Sequence, residues 1–236
     1  MRRPGSRSLV LVSLLGATVG VVLAAAFARS QSVPLGFDVP NRPCRLGARM
    51  WPWGHLAVGY ACYSAFARVR YGRGPTSLTA LAAVFGTQFP DLVDKPLAWS
   101  FGVLPSGRSL AHSLLVAGVV LLLVGIYCRR REHSELAVAF GVGYCSHLAG
   151  DAIGPVLAGR YAFASFLAWP LLPPPPYGDE GGFLAHFASL DFSSWVLAQF
   201  GLALAVTILW VLDGAPGLGV FGSWRDRLDY RRDENR

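Results

Sequence analysis

Lysine is almost missing from this chain: Lys95 stands alone among 21 basic residues, and the others are arginine. Charge of either sign is scarce, at 15% of 236 residues against 53% hydrophobic, where a soluble domain carries roughly 25% charged residues. That shortage, with a mean hydropathy of +0.42, excludes an ordinary soluble domain and indicates a membrane protein. Cysteine supplies no scaffold either. Cys44, Cys62, Cys128 and Cys145 have no CxxC spacing and three lie in apolar runs, which argues against thiolate zinc and a disulfide framework. There is no Walker loop, dinucleotide fingerprint, HExxH or GxSxG elbow. The net charge of +7 does not indicate nucleic acid, because the arginines gather at the ends of apolar runs, where they set topology.

What the chain does have is a series of apolar runs. Leu9 to Ala28 is uncharged for 20 residues, enough for one spanning helix. Residues 1–28 read as an N-terminal transmembrane anchor or a signal-like segment, with Ala26-Phe27-Ala28 as a cleavage-like site. An extracytoplasmic linker follows over 29–50. Four runs, Trp51–Ala67, Ser77–Phe89, Leu110–Cys128 and Leu136–Ile153, make a helical core over 51–158. The second of these has 13 residues, about 20 Å as a helix and short of a hydrocarbon core of roughly 30 Å. Pro90 is expected to interrupt it, and Gly154-Pro155 to stop or kink the fourth. Residues 159–192 form an extracytoplasmic Pro-rich loop with a candidate re-entrant part, Phe163–Trp169. A final transmembrane helix spans 193–212, and 213–236 is a charged cytoplasmic tail.

Counting arginines at the run ends places the N-terminus, residues 68–73, residues 129–131 and the tail in the cytoplasm. The expected fold is therefore all-α: a polytopic integral membrane helical bundle of about six transmembrane segments, both termini cytoplasmic, in the cell membrane.

The polar residues inside these runs are the informative ones. His147 and Asp151 are four apart and share one helix face; Asp91 and Asp94 are three apart and share one turn. On the expected topology His55, Asp91, Asp94, His112, His147 and Asp151 all fall at the outer ends of four helices. Buried imidazoles and carboxylates are costly without a partner, so six at one depth imply a metal site. The set exceeds what one tetrahedral zinc needs, which leaves room for two metals, or for one with Asp94 or Asp151 as a catalytic carboxylate. Abundant imidazole favours zinc, with manganese or iron as alternatives, over calcium. Arg108 is the candidate for holding an anionic substrate. His133, beside the cytoplasmic arginines, reads as a solvated loop residue, and His186 with Asp179 and Glu180 as a candidate lid.

Four segments carry a resemblance: Gly54-His55-Leu56-Ala57, Phe89-Pro90-Asp91-Leu92-Val93-Asp94, Arg108-Ser109-Leu110-Ala111-His112-Ser113-Leu114-Leu115 and Gly143-Tyr144-Cys145-Ser146-His147-Leu148-Ala149-Gly150-Asp151. In this order they resemble the YdjM family of membrane-bound metal-dependent hydrolases, over roughly residues 54–155. The resemblance implies that His55, Asp91, Asp94, His112, His147 and Asp151 are metal-site positions. Members often carry a His-Arg pair and a Thr-His-Ser segment, whereas here Gly107 precedes Arg108 and Ala111 replaces the Thr.

The resulting expectation is a metal-dependent hydrolase with one or two divalent cations. It would direct water at an ester or phosphoester near the outer interface, on a membrane lipid or lipid-linked substrate, with no nucleic-acid partner. An ion or proton transporter and a non-catalytic metal-stabilised scaffold are the alternatives.

Overall fold

The computed structural model describes residues 49–177 and 180–219. The expected anchor over 1–28, nearly all of the 29–50 linker and the tail from residue 220 lie outside the described residues. Within them every regular element is helical.

Helix α1 spans Pro52–Tyr71, with proline at its first position, where its missing N–H costs nothing. Helix α2 spans Ser77–Lys95 and starts at a reciprocal cap between Thr76 and Thr79. It runs straight through Pro90, so the expected break there is not found. The helix loses one intrahelical bond at Pro90, but tertiary contacts on both sides hold it: Pro90 is buried, and Asp94, one turn on, is anchored by a neighbouring loop. A π-helical turn, Pro96–Ser100, closes this arm.

Helix α3 spans Leu114–Arg130 and begins four residues later than the apolar run, because the Ser113 hydroxyl accepts the Leu115 N–H and caps it there. Helix α4 spans Ser134–Leu157, passing Pro155 only in its last turn. The candidate re-entrant part is a 3-10 segment, Tyr161–Ala168, and a short helix α5 follows at Gly182–Ala188. Helix α6 spans Ser194–Leu212, as expected for the last run.

Helices α2 and α4 form the closest pair. A side chain at Gly86 would strike the Phe140 carbonyl, and one at Gly143 the Ala83 carbonyl. Two glycines, one from each helix, thus let the backbones touch. Apolar clusters then join α1 to α6 (Ala57, Tyr60, Leu202, Val206) and α3 to α4 (Ala117, Phe140, Tyr144, Leu148). Outward-facing residues stay apolar, as in Leu122 at 63% and Leu204 at 64% exposure. Such a surface is stable against lipid and not against water.

Two described helices, α4 and α6, are long and apolar enough to cross a membrane. By that measure the expectation of about six spans is met only in part. Helix α3 has 17 residues, about 25 Å at 1.5 Å per residue, and α1 and α2 carry His55, Arg68, Asp91 and Asp94, which lower their hydropathy.

The chain order puts the starts of α1, α3 and α6 and the ends of α2 and α4 at one end of the bundle. There Gln199 of α6 accepts the Trp51 N–H at 2.8 Å. At the other end Asp213 pairs with Arg68 and accepts from the Tyr60 and Ser64 hydroxyls, each at 2.8 Å.

Candidate metal centre

All six sequence-selected residues lie at the first of these ends. His55 is in the first turn of α1, and Asp91 and Asp94 are in the last turns of α2. His112 sits just before α3, and His147 and Asp151 are on α4. His55, His112, His147, Asp94 and Asp151 are buried, and Asp91 nearly so.

They divide into an inner set and a supporting residue. His55, His147 and Asp151 form one group, and Asp91, His112 and His147 another; in each group the ligand atoms lie within 4.8 Å of one another. His147 belongs to both, so the groups are halves of one cluster. Asp151 Oδ2 lies 3.5 Å from His112 Nε2 and 3.6 Å from His147 Nε2, and its Oδ1 is 3.5 Å from His55 Nε2. Asp91 Oδ1 lies 3.6 and 3.8 Å from the Nε2 atoms of His112 and His147.

The two imidazoles are oriented from behind. His147 Nδ1 is 2.6 Å from the Thr87 carbonyl, which can only accept, so that nitrogen carries the hydrogen. His112 Nδ1 is 2.8 Å from Asp94 Oδ2, with the same consequence. In the neutral form of each ring the lone pair therefore sits on Nε2, and the two Nε2 atoms are 3.1 Å apart. Two lone pairs at that distance repel unless a proton or a cation lies between them. Metal–nitrogen bonds of about 2.0–2.1 Å give a ligand separation of roughly 2.8–3.4 Å for angles between octahedral and tetrahedral. A second mark is His55 Nδ1, which is buried without a hydrogen-bond partner. The donor set fits a divalent cation: imidazoles and carboxylates, with three carboxylates nearby against the two cations Lys95 and Arg108.

Asp94 stands apart from the cluster. Its carboxylate accepts the backbone N–H groups of Ser109, Ala111 and His112 at 2.8, 2.8 and 3.2 Å, as well as His112 Nδ1. With four donors it fixes the loop and the ring of His112 from outside. Arg108, selected for substrate, forks onto Asp151 with Nε and Nη2 at 2.7 and 2.8 Å and donates from Nη1 to the Tyr177 hydroxyl at 3.0 Å. Burial opposes its charge, but Asp151 outweighs this and holds the guanidinium firmly protonated.

Several contacts escaped the sequence reading. Lys95 Nζ bonds Asp91 Oδ2 at 2.6 Å at i,i+4, a spacing that was legible in the sequence. Phe166 packs perpendicular to the His112 ring, with ring centroids at 5.8 Å. Glu180 accepts from Trp99 Nε1 and Ser106 Oγ at 2.6 and 2.7 Å. No sequence signal indicates those contacts across 81 and 74 positions, nor the Thr87 carbonyl, since any residue supplies one. His186, the candidate lid, lies between Trp51 and Trp99, with ring centroids at 4.8 and 5.3 Å.

An all-helical bundle with apolar outer faces and a buried His/Asp cluster defines a class: integral membrane proteins with a centre able to hold a metal. The profile of the family described as YdjM inner membrane protein matches residues 50–217, and the chain belongs to that family. Comparison with curated proteins and with solved structures returns no significant match.

Proposed function

We propose that this protein is a membrane-embedded metal-dependent hydrolase whose centre lies at the extracytoplasmic end of the bundle. The observation that carries the reading is the 3.1 Å approach of His112 Nε2 and His147 Nε2, each ring fixed in the metal-binding tautomer by an acceptor behind it. His112, His147, Asp151 and His55 would hold a divalent cation, zinc before manganese or iron. Bound there, such a cation supplies Lewis-acid activation of water and of the ester or phosphoester oxygen.

The chain's own residues divide the remaining tasks. Asp94 is saturated by four donors and positions His112. Asp151 is held in register by the Arg108 fork. Asp91 keeps Oδ1 turned to the cluster while Lys95 holds Oδ2. That makes it the carboxylate best placed to take a proton from water, a role the sequence had suggested for Asp94 or Asp151.

The arginines support the orientation. Arg68, Arg70 and Arg129–Arg131 lie at the end opposite the cluster, as cytoplasmic ends require. The same count supports the wider reading of about six spans with cytoplasmic termini. A transporter would need carboxylates or imidazoles leading from the centre to that end, whereas the packed residues between are Tyr63, Ala67, Ala83 and Ala139, with the hydroxyls of Ser64, Thr79 and Thr87 beside them.

The test is metal per chain, by mass spectrometry on detergent-purified protein, for wild type, His147→Ala and Asp151→Asn. A stoichiometric metal in wild type and its loss in both variants is expected, with hydrolysis of lipid phosphoesters lost in parallel. Equal metal in all three would sink the proposal.

A further inference from the structure

We propose that the mouth of the metal centre is a phosphoryl-binding subsite, formed by Trp99, Ser106 and Gly107 and flanked by Arg49 and Arg108. The substrate class would then be phosphomonoesters or phosphodiesters and not neutral carboxylic esters. The inference rests on the hydrolase reading above and names its substrate class.

The cradle is visible because a carboxylate of the chain fills it. Glu180 accepts from Trp99 Nε1 at 2.6 Å, from Ser106 Oγ at 2.7 Å and from the Gly107 N–H at 3.2 and 3.3 Å. The Ser106 hydroxyl is itself aimed by the Arg108 N–H, which it accepts at 3.1 Å, so its hydrogen is directed at Glu180. Glycine at 107 keeps the cradle open: a Cβ there would lie 2.8 Å from Glu180 Oε2 and 2.9 Å from Trp99 Nε1, inside the space the oxyanion occupies. The next residue, Arg108, reaches Asp151 of the cluster directly. One residue therefore joins the cradle to the metal centre.

Among the described residues Glu180 is the only carboxylate seated in the cradle, and Arg49 stands beside it without a direct bond to it. The guanidiniums of Arg49 and Arg108 lie over the same Tyr177 ring, with centroid distances of 5.9 and 5.4 Å. Arg108 is committed to Asp151, but Arg49 makes no ion pair among the described residues, and its Nε is buried without a hydrogen-bond partner. Burial first and Arg108 second pull the Arg49 pKa down, while Glu180 raises it, so a further anion there would be welcome. The Nε2 of His186 is a second buried nitrogen without a partner nearby. A neutral ester brings weak acceptors and leaves Arg49 unmatched. A phosphoryl group brings one or two negative charges and several acceptor oxygens to donors of this kind. In this view Glu180 holds the cradle until the substrate phosphate takes its place.

Inorganic phosphate is the probe. Its affinity is measured by calorimetry on the full-length, metal-loaded protein in detergent, with metal per chain recorded on the same samples. Emptying the cradle with Glu180→Ala should tighten phosphate binding about tenfold, and filling it with Gly107→Ala should weaken binding by at least about tenfold, roughly 1.4 kcal/mol each way. Metal content should not change in either. Ser106→Ala should weaken binding in the same direction and serves if Gly107→Ala fails to fold. Phosphate affinity unaltered by Glu180→Ala and by the cradle variants would overturn the subsite. Metal absent from wild type would instead overturn the hydrolase reading, and the ratio of affinities between Glu180→Ala and Ser106→Ala would still decide the subsite.

Discussion

His112 and His147 present Nε2 to one another at 3.1 Å, and each is held from behind by a different kind of acceptor: the Asp94 carboxylate for His112 and the Thr87 carbonyl for His147. Asp94 therefore acts on the proposed centre from behind, through the His112 ring and the 109–112 turn. Asp94→Asn replaces an acceptor of four hydrogen bonds by a group with one acceptor oxygen and its own N–H donors. Zinc affinity should fall about 10- to 100-fold, the usual cost of losing a partner behind a ligand histidine. Competition against a chromophoric chelator measures it. Affinity equal to wild type would reduce Asp94 to a tie for the 109–112 turn.

Helix α2 brings Asp91 to the cluster and Asp94 behind His112, and it touches α4 backbone to backbone. Gly143→Ala would place a methyl group against the Ala83 carbonyl, with the Thr87 N–H 3.0 Å away. Backbone cannot yield as a side chain tip can, so the helices must separate. A loss of about 1–3 kcal/mol in stability is expected, seen as a lower unfolding temperature. Metal affinity should fall with it, since Thr87 moves away from His147. Destabilisation without any change in metal affinity would mean that the cluster does not depend on this contact.

The cluster itself was legible in the sequence, and for a physical reason. Ionisable residues in apolar runs are so costly to bury that their presence at four run ends already implies that they meet. His147 and Asp151 at i,i+4 fix one face of α4, and no partner residue is needed to see it. What was not legible was the order within the cluster. Asp94 looks like a ligand by residue type, yet it is committed to backbone N–H groups of the 109–112 turn, and backbone donors leave no trace in residue identity. Pro90 looked like a break because a local rule applies to an isolated helix, whereas α2 is pinned on both sides of it by α4 and the loop. Asp213 read as the start of a solvated tail, but its side chain is 1% exposed and paired with Arg68. That pairing joins positions 145 residues apart, which no local pattern reports.

The Asp213–Arg68 pair offers a test of how separate the two ends of the bundle are. Asp213→Ala would leave Arg68 half-buried without its partner and remove the acceptor of Tyr60 and Ser64. Breaking a buried pair from one side costs about 3 kcal/mol. Thermal unfolding should reveal most of that loss. Metal per chain should stay at the wild-type value, because no cluster residue touches this end. Loss of metal in this variant would show that the ends are coupled.

His186 makes stability sensitive to acid at the mouth of the site. Burial between Trp51 and Trp99, and then the charges of Lys95 and Arg49, push its pKa from 6.5 down to about 4, with Arg108 adding to the repulsion and Asp91 opposing it. The sign follows from proton counts. Between pH 6.5 and about 4 the unfolded chain binds a proton at this histidine and the folded chain does not. The contribution is therefore intact above pH 6.5 and is lost as the pH falls from there through about 4. His186→Phe keeps the aromatic packing and removes the titration. The drop in unfolding temperature between pH 7.5 and pH 4.5 should be smaller in this variant than in wild type. An equal drop in both proteins would mean that other groups carry the acid sensitivity and that His186 is protonated without penalty in the folded chain.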